Sequence, residues 1–435
     1  MLRDGLPSTY YFTSLLGLNP LLLKNSMQGR NPEHCTDQPF HYHDELTVDI
    51  QSLSNEGRGI ARINHWIVMV PFVIPGERVR VRIFKNHTNY SEADLIEVLQ
   101  ASTDRVSPPC PLFGQCGGCQ YQHMVYEKQL EWKHRHVTDC LERIAKLSAK
   151  VKPVQPSQKI YGYRTKITPH FKRNCTNNFP IGFLAYGRKC SLVDVPRCYI
   201  ASDPINVYLP EVRTQTRQNL RMKSGTLLLR DCSQGVLTNP KAVAQTQVLG
   251  CNFLFQAGSF FQNNPYILES MLQYLQQVRS QFGQIHYLID AYCGVGIFGI
   301  MLARSMRQFV GIEVDESSIT LAQKNMQLNH VDNGFMQHGE AETIFKGITF
   351  PKDQTLVVVD PPRKGCSENF LQQLIQFQPA VMIYISCAPD TQARDLKRIL
   401  TLAPRYKILE LQAFDMFPQT KHLECVAVVS RMWQK

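Results

Sequence analysis

The stretch Tyr384-Ile-Ser386-Cys387-Ala388-Pro389 puts a thiol just past an apolar run, and His422-Leu423-Glu424-Cys425-Val426 puts a carboxylate just ahead of another. A thiolate adds readily to an electron-poor ring carbon, and a nearby carboxylate can remove a proton before the sulfur leaves again. Taken singly, neither stretch decides anything. Most lone cysteines are inert small hydrophobes, and a glutamate ahead of a strand is often a plain edge residue. A third stretch, Val357-Val-Val-Asp360-Pro361-Pro362-Arg363-Lys364-Gly365, follows another apolar run. Two prolines after an acid make a stiff loop, poor in hydrogen bonds, that suits a planar ring. That loop alone fits an ordinary turn, or methylation of either a base amino group or a base carbon. The thiol favours carbon, because amino methylation needs no nucleophile.

A donor for such a group is read from Asp290-Ala-Tyr-Cys-Gly294-Val-Gly296-Ile-Phe-Gly299, which lies between an apolar strand and a helix. Glycines there let the backbone approach a ligand, and the helix start offers free N–H groups. Glu313 closes the next strand, where a carboxylate can accept both hydroxyls of a ribose. A dinucleotide pattern would follow the strand directly with glycine. Asp290 comes first instead, which favours S-adenosylmethionine, whose sulfonium suits a nearby acid. Glu340 and Glu342, after the third strand of this region, either reach the adenine or are solvated.

Cys110, Cys116 and Cys119 lie within ten residues, bent together by Gly114, Gly117 and Gly118. Three close thiols with a distant fourth suit an iron–sulfur cluster or a structural zinc. The chain has 14 cysteines but no export signal is evident, so metal and catalytic roles are expected rather than disulfides.

The elements that must position these residues fall into blocks. Residues 42–105 carry candidate strands at 46–50, 60–63, 66–72 and 77–85, a small β-barrel of the oligonucleotide-binding type. Arg78, Arg80 and Arg82 alternate with apolar residues there and share one face, a candidate row for phosphates. Residues 106–284 hold the cysteines, an amphipathic helix built on Leu130, His134, Val137, Leu141 and Ile144, and mixed α/β segments with strands at 181–186 and 226–229. From 285 to 435 strands alternate with helices, which predicts a doubly wound, mostly parallel sheet. Its strands are placed at 287–289, 309–312, 334–338, 355–359, 381–385, 406–414 and 425–430. Residues 1–41 show no clear period, and Met27 is an alternative start. Net charge is +11, and residues 110–200 hold 15 Lys and Arg against 5 Asp and Glu. That basic middle beside a neutral C-terminal part suggests a polyanion-binding region. No apolar run is long enough to span a membrane, and the run at 15–23 is broken by Asn19 and Pro20. A cytoplasmic protein is expected.

With these motifs together, the chain from residue 42 onward resembles the uracil-5 RNA methyltransferases that act on ribosomal and transfer RNA. The resemblance implies a TRAM-type barrel, a central cluster-binding domain and a class I methyltransferase domain. It implies Cys387 as nucleophile toward carbon 6 of uracil, Glu424 as the base that takes the carbon-5 proton, and Asp360 at the site with Arg363 close to substrate. It further implies Gln262, Tyr292, Gly294, Glu313, Glu340 and Asp360 around S-adenosylmethionine. It also implies that Cys198 joins Cys110, Cys116 and Cys119 around a [4Fe-4S] cluster, with zinc as the other candidate. Ile297 departs from the small polar residue of some relatives. The cysteine set leans toward ribosomal RNA, with transfer RNA the alternative, and family habit implies a monomer. Rival readings are an iron–sulfur redox enzyme on the same barrel, a silent RNA-binding protein and a base-amino methyltransferase.

Overall fold

A computed structural model describes residues 39–173, 179–188, 190–219, 223–340 and 343–432. The N-terminal extension up to residue 38, with Met27, and Glu342 lie outside the described residues. The first six strands are β1 (Glu45–Asp49), β2 (Ser52–Leu53), β3 (Arg58–Ile63), β4 (Trp66–Pro71), β5 (Arg78–Asn86) and β6 (Tyr90–Gln100). Their order is β1-β5-β6-β4-β3-β2, so the two sheet edges are consecutive strands and the chain draws them together into a barrel. Register shifts along β5 and β6 supply the curvature. The alternation in β5 buries Val79, Val81 and Ile83 among Val48, Val68 and Val70 and leaves the three arginines outside. Those arginines are not a free phosphate row. Arg80 pairs with Glu97 at 3.1 Å and Glu45 at 3.5 Å, Arg78 lies 4.0 Å from Asp49, and Arg82 stands opposite Glu45 and Asp94 in register. The strand that supplies two of these acids, β6, escapes the sequence pattern because Glu92, Asp94 and Glu97 interrupt its apolar alternation.

Helix α1 (Tyr126–Cys140) runs into a π-helical turn (Leu141–Ala145) that ends at left-handed Lys146. Of the predicted apolar face, Val137 and Leu141 are buried but Ile144 is exposed. The face most fully covered is instead partly polar, with Gln129, Lys133 and His136 beside Trp132 and Cys140. The reason is its neighbour. One side of α1 packs on a polar loop near the C-terminus, described below, rather than on an apolar layer.

Between them lies a mixed region: β7 (Val151–Gln155), β8 (Lys166–Ile167), β9 (His170–Lys172), β10 (Ile181–Leu184), β11 (Leu192–Asp194), α2 (Asp203–Gln218), β12 (Ser224–Thr226), β13 (Leu229–Cys232), β14 (Gly235–Leu237), β15 (Val243–Val248), β16 (Cys251–Gln256) and α3 (Pro265–Ser280). The single strand predicted at 226–229 is two, because β12 pairs with β9 while β13 pairs with β8 and β14.

The rest is a doubly wound sheet: β17 (Tyr287–Ala291), α4 (Ile297–Ala303), β18 (Gln308–Glu313), α5 (Glu316–Leu328), β19 (Gly334–His338), β20 (Thr355–Val359), α6 (Glu368–Phe377), β21 (Val381–Ser386), α7 (Pro389–Leu402), β22 (Tyr406–Phe414) and β23 (Glu424–Arg431). Strand order is β19-β18-β17-β20-β21-β23-β22-β7. All neighbours are parallel except β23, which slots between β21 and β22 antiparallel to both. The order reverses at β17 and β20, the switch point beyond whose C-terminal ends such sheets hold ligands. The apolar cores on the two faces cross residue 285. One includes Phe253, Met271 and Leu275 with Leu288 and Phe309, and the other includes Val137 and Val154 with Ile289. Among the described residues no helix is long and apolar enough to cross a membrane.

Candidate active site

The ladders dictate which side chains meet at the rim. Ala291 stands opposite Ile312 and Val359, so the residues one step on, Tyr292, Glu313 and Asp360, share the C-terminal edge. Ser386 stands opposite Cys425. Cys387 and Glu424 flank that pair at the same end of the ladder, within electrostatic reach of each other. The insertion of β23 therefore brings a carboxyl to the thiol.

Glu424 is buried, at 4% exposure. Burial and the adjacent Asp360 push its carboxyl well above the usual range, with Arg363 opposing. Asp360 is pushed up to about 7 by loss of hydration. Cys387 is half-buried; burial and then Glu424 push its thiol up to about 11, while Arg363 opposes and hydrogen-bonds it. Burial thus works against charge on both groups, and Arg363 works in favour of it on both. Arg363 and the start of α7, two residues beyond Cys387, are the features that favour thiolate. Since thiolate grows by about tenfold per pH unit below the thiol's pKa, iodoacetamide labelling of Cys387 in the free enzyme should climb steadily from about pH 7 to pH 9. Peptide mapping by mass spectrometry reads this, and a plateau near neutrality would contradict it.

Helix α7 ties the catalytic loops together through side chains that the sequence did not single out. Gln392 donates to the carbonyls of Tyr384 at 2.8 Å and Cys425 at 3.1 Å, bridging β21 and β23 behind the pair. Thr391 donates to the Arg363 carbonyl at 3.2 Å. Asp395, only 2% exposed, accepts from the Cys366 amide at 2.8 Å and the Tyr384 hydroxyl at 2.7 Å. All three are ordinary polar helix residues by type, so only their packing reveals the role.

On the cofactor side, Asp290 is fully buried and accepts from the Gly299 amide at 2.7 Å, which anchors α4. Its other oxygen has no partner. Burial, with Asp360 and Glu313 nearby, pushes its carboxyl up to about 8. Three carboxylates gathered with an orphaned oxygen suit a cationic ligand. Glu313 accepts from the amides of Gly294, Val314 and Asp315, each at 2.9 Å, and is thereby fixed at the rim with lone pairs to spare. Tyr292 adopts a left-handed backbone, φ 61°, and its ring meets Phe370. Gln262 is buried with its side-chain oxygen unpartnered. Glu340 is exposed one strand further out, past β19. Ile297 packs into the core at 7% exposure, so the departure there fills an apolar space. At Gly296, φ is 85° and an added Cβ would lie 2.6 Å from the Met336 methyl. Gly296→Ala should cost about 1–3 kcal/mol in a denaturant melt.

Cys110, Cys116, Cys119 and Cys198 line one cavity of about 640 Å³ together with Arg58, Arg164, Arg188, Arg197 and Lys421. Burial raises all four thiols, and Cys116 and Cys119 each lie within electrostatic reach of Cys198 and Cys110. Among the described residues, no three His, Cys, Asp or Glu side chains converge tightly enough to hold a metal ion.

Comparison with known proteins matches residues 234–432 to the tRNA (uracil-5-)-methyltransferase family and residues 43–96 to the TRAM domain. The tRNA (uracil(54)-C(5))-methyltransferase of Schizosaccharomyces pombe is 37% identical over 91% of this chain and 80% of its own length. Its counterpart in Saccharomyces cerevisiae is 30% identical over 92% and 76%. The tRNA (uracil-54, C5)-methyltransferase of Pyrococcus abyssi, solved with S-adenosyl-L-homocysteine, superposes with a TM-score of 0.68 at 24% identity. It covers 88% of this chain and all of its own, which shows the shared fold.

Proposed function

The chain belongs to the RNA (uracil-5-)-methyltransferase family, and from that premise we propose that it methylates carbon 5 of a transfer-RNA uridine through a covalent adduct on Cys387. S-adenosylmethionine supplies the electrophilic methyl group. Cys387 gives up its proton to solvent and adds to carbon 6 as the thiolate, the electron pair moves toward carbon 5, and carbon 5 takes the methyl as the methyl's bond to the donor breaks. Glu424 then takes the carbon-5 proton, the ring double bond re-forms, and the carbon–sulfur bond breaks to return the thiolate. The observation that carries this is the placement of Cys387 beside Glu424 at the end of the β21–β23 ladder, since amino methylation needs neither. Asp360 and Arg363 flank the pair, with Arg363 favouring thiolate, while Asp290, Glu313 and Gln262 offer acceptors to the donor's cation and hydroxyls.

RNA is the substrate class, and the target base must leave its stack to reach carbon 6. The basic cavity beside Lys421 and His422 supports holding of the flanking strand. The S. pombe and S. cerevisiae relatives are named for uridine 54 of transfer RNA, which favours that substrate over ribosomal RNA, where the cysteines alone point. Incubation with tritiated-methyl S-adenosylmethionine and unmodified transfer or ribosomal RNA, followed by nucleoside analysis, tests both. Label in 5-methyluridine of transfer RNA alone is expected; label in ribosomal RNA alone would reverse the substrate reading, and label in another nucleoside would reverse the chemistry.

We extend the proposal to the four cysteines as ligands of a structural metal centre. Their shared cavity and chemistry suit iron–sulfur or zinc once the thiols lose their protons. Converging them requires a local adjustment of the glycine-rich loop, where Gly114 has φ 85°. Such a centre would supply rigidity. Metal and acid-labile sulfide analysis of protein purified without air, against a Cys119→Ser variant, is expected to show cysteine-dependent metal.

A further inference from the structure

The loop from Asp415 to Leu423 delivers Glu424 to Cys387, and its polar groups are tied down from outside the catalytic sheet. Asp415 is fully buried and receives the equally buried Lys133 ammonium at 2.6 Å. Lys133 also donates to the Phe417 carbonyl at 3.2 Å. The Tyr163 hydroxyl donates to the Pro418 carbonyl at 2.9 Å. Gln419 sits at φ 69°, a left-handed conformation costly for its residue type. Gln129, with 0% exposure, grips it twice: its oxygen accepts from the Gln419 amide at 3.1 Å, and its nitrogen donates to the Gln419 side-chain oxygen at 3.1 Å. The Gln419 carbonyl in turn accepts from the amides of Gln120 and Tyr121, both at 3.0 Å, and the Gln120 side chain accepts from the Lys421 amide at 3.2 Å.

A strained residue held by several independent partners just before a catalytic strand marks a position that the surroundings over-determine. Helix α1 spends two buried polar side chains on that loop, although an apolar face would pack at less desolvation cost. We propose that Gln129 and Lys133 are positioning residues for the proton-removal step, holding the loop so that Glu424 stands at the carbon-5 proton of the adduct. This rests on Glu424 being the base. Loosening the loop then slows proton removal more than sulfur addition or methyl transfer, because Cys387 and the donor site are held by α7 and by the β17–α4 turn instead.

Uridine tritiated at carbon 5 separates the steps. With carbon-14 methyl donor, one reaction reports methyl entry and tritium release in a single turnover, and a denaturing gel reports the protein–RNA adduct. Gln129→Met keeps the bulk and removes the hydrogen bonds. Gln419→Asn keeps a residue tolerant of positive φ but shortens the amide, so the question survives if the first variant folds poorly. Tritium release should fall about tenfold or more relative to methyl entry in Gln129→Met, and by a smaller factor in Gln419→Asn, with adduct accumulating in both. Methyl entry and tritium release falling together, or both unchanged, would overturn the proposal. Glu424→Gln is run alongside. Adduct in that control but in neither loop variant overturns the positioning role alone, whereas no adduct in the control overturns the base assignment and this inference with it.

Discussion

Glu424→Gln should leave the protein bound to its RNA through a methylated uracil on Cys387. The amide is nearly isosteric, so the buried site and the β21–β23 ladder survive, and Asp360 loses an electrostatic competitor. Sulfur addition and methyl entry need no base at Glu424, so they proceed. The carbon-5 proton then has no acceptor placed opposite Cys387, and elimination stops. A slow-migrating band after denaturing electrophoresis, labelled from both methyl donor and RNA, is the expected result, with multiple turnover lowered about 10³-fold or more. Normal turnover without that band would assign the base elsewhere.

Cys387→Ala removes the bond on which every later step depends. Carbon 5 of uracil is a poor nucleophile without sulfur at carbon 6, so methyl incorporation should fall at least about 10⁴-fold. RNA binding should change by less than about threefold, because the cavity cations proposed to hold the strand are untouched. The double variant with Glu424→Gln should give no adduct at all. Retained methylation in Cys387→Ala would return Cys387 to a packing role and revive amino or direct carbon methylation.

Much of the site's placement was legible before the fold because its residues ride on local motifs at strand ends. Apolar strands followed by Asp290, Asp360 and Cys387 are visible as runs, and parallel topology brings such ends to one rim. The meeting of Cys387 with Glu424 was not legible in that way. It depends on β23 entering antiparallel between β21 and β22, a long-range pairing that no window of sequence displays. The polar face of α1 was misread for a related reason. Periodicity counts apolar residues, and Gln129, Lys133 and His136 are buried because their partners are polar groups far along the chain. The arginine row of β5 was read correctly as one face, but its acidic neighbours sit on β1 and β6, and composition cannot show which charges stand opposite one another.

The interior place of β23 bears on how damage to the gene would be felt. A chain cut short between Phe414 and Glu424 loses the proposed base and also uncovers the flanks of β21 and β22, each a row of unpaired amides and carbonyls. Such a product would be prone to aggregation and to proteolytic removal rather than persisting as an intact but silent RNA binder. Separating binding from catalysis in living cells therefore calls for single-residue exchange at Cys387 or Glu424, since frameshifts and premature stops remove both together.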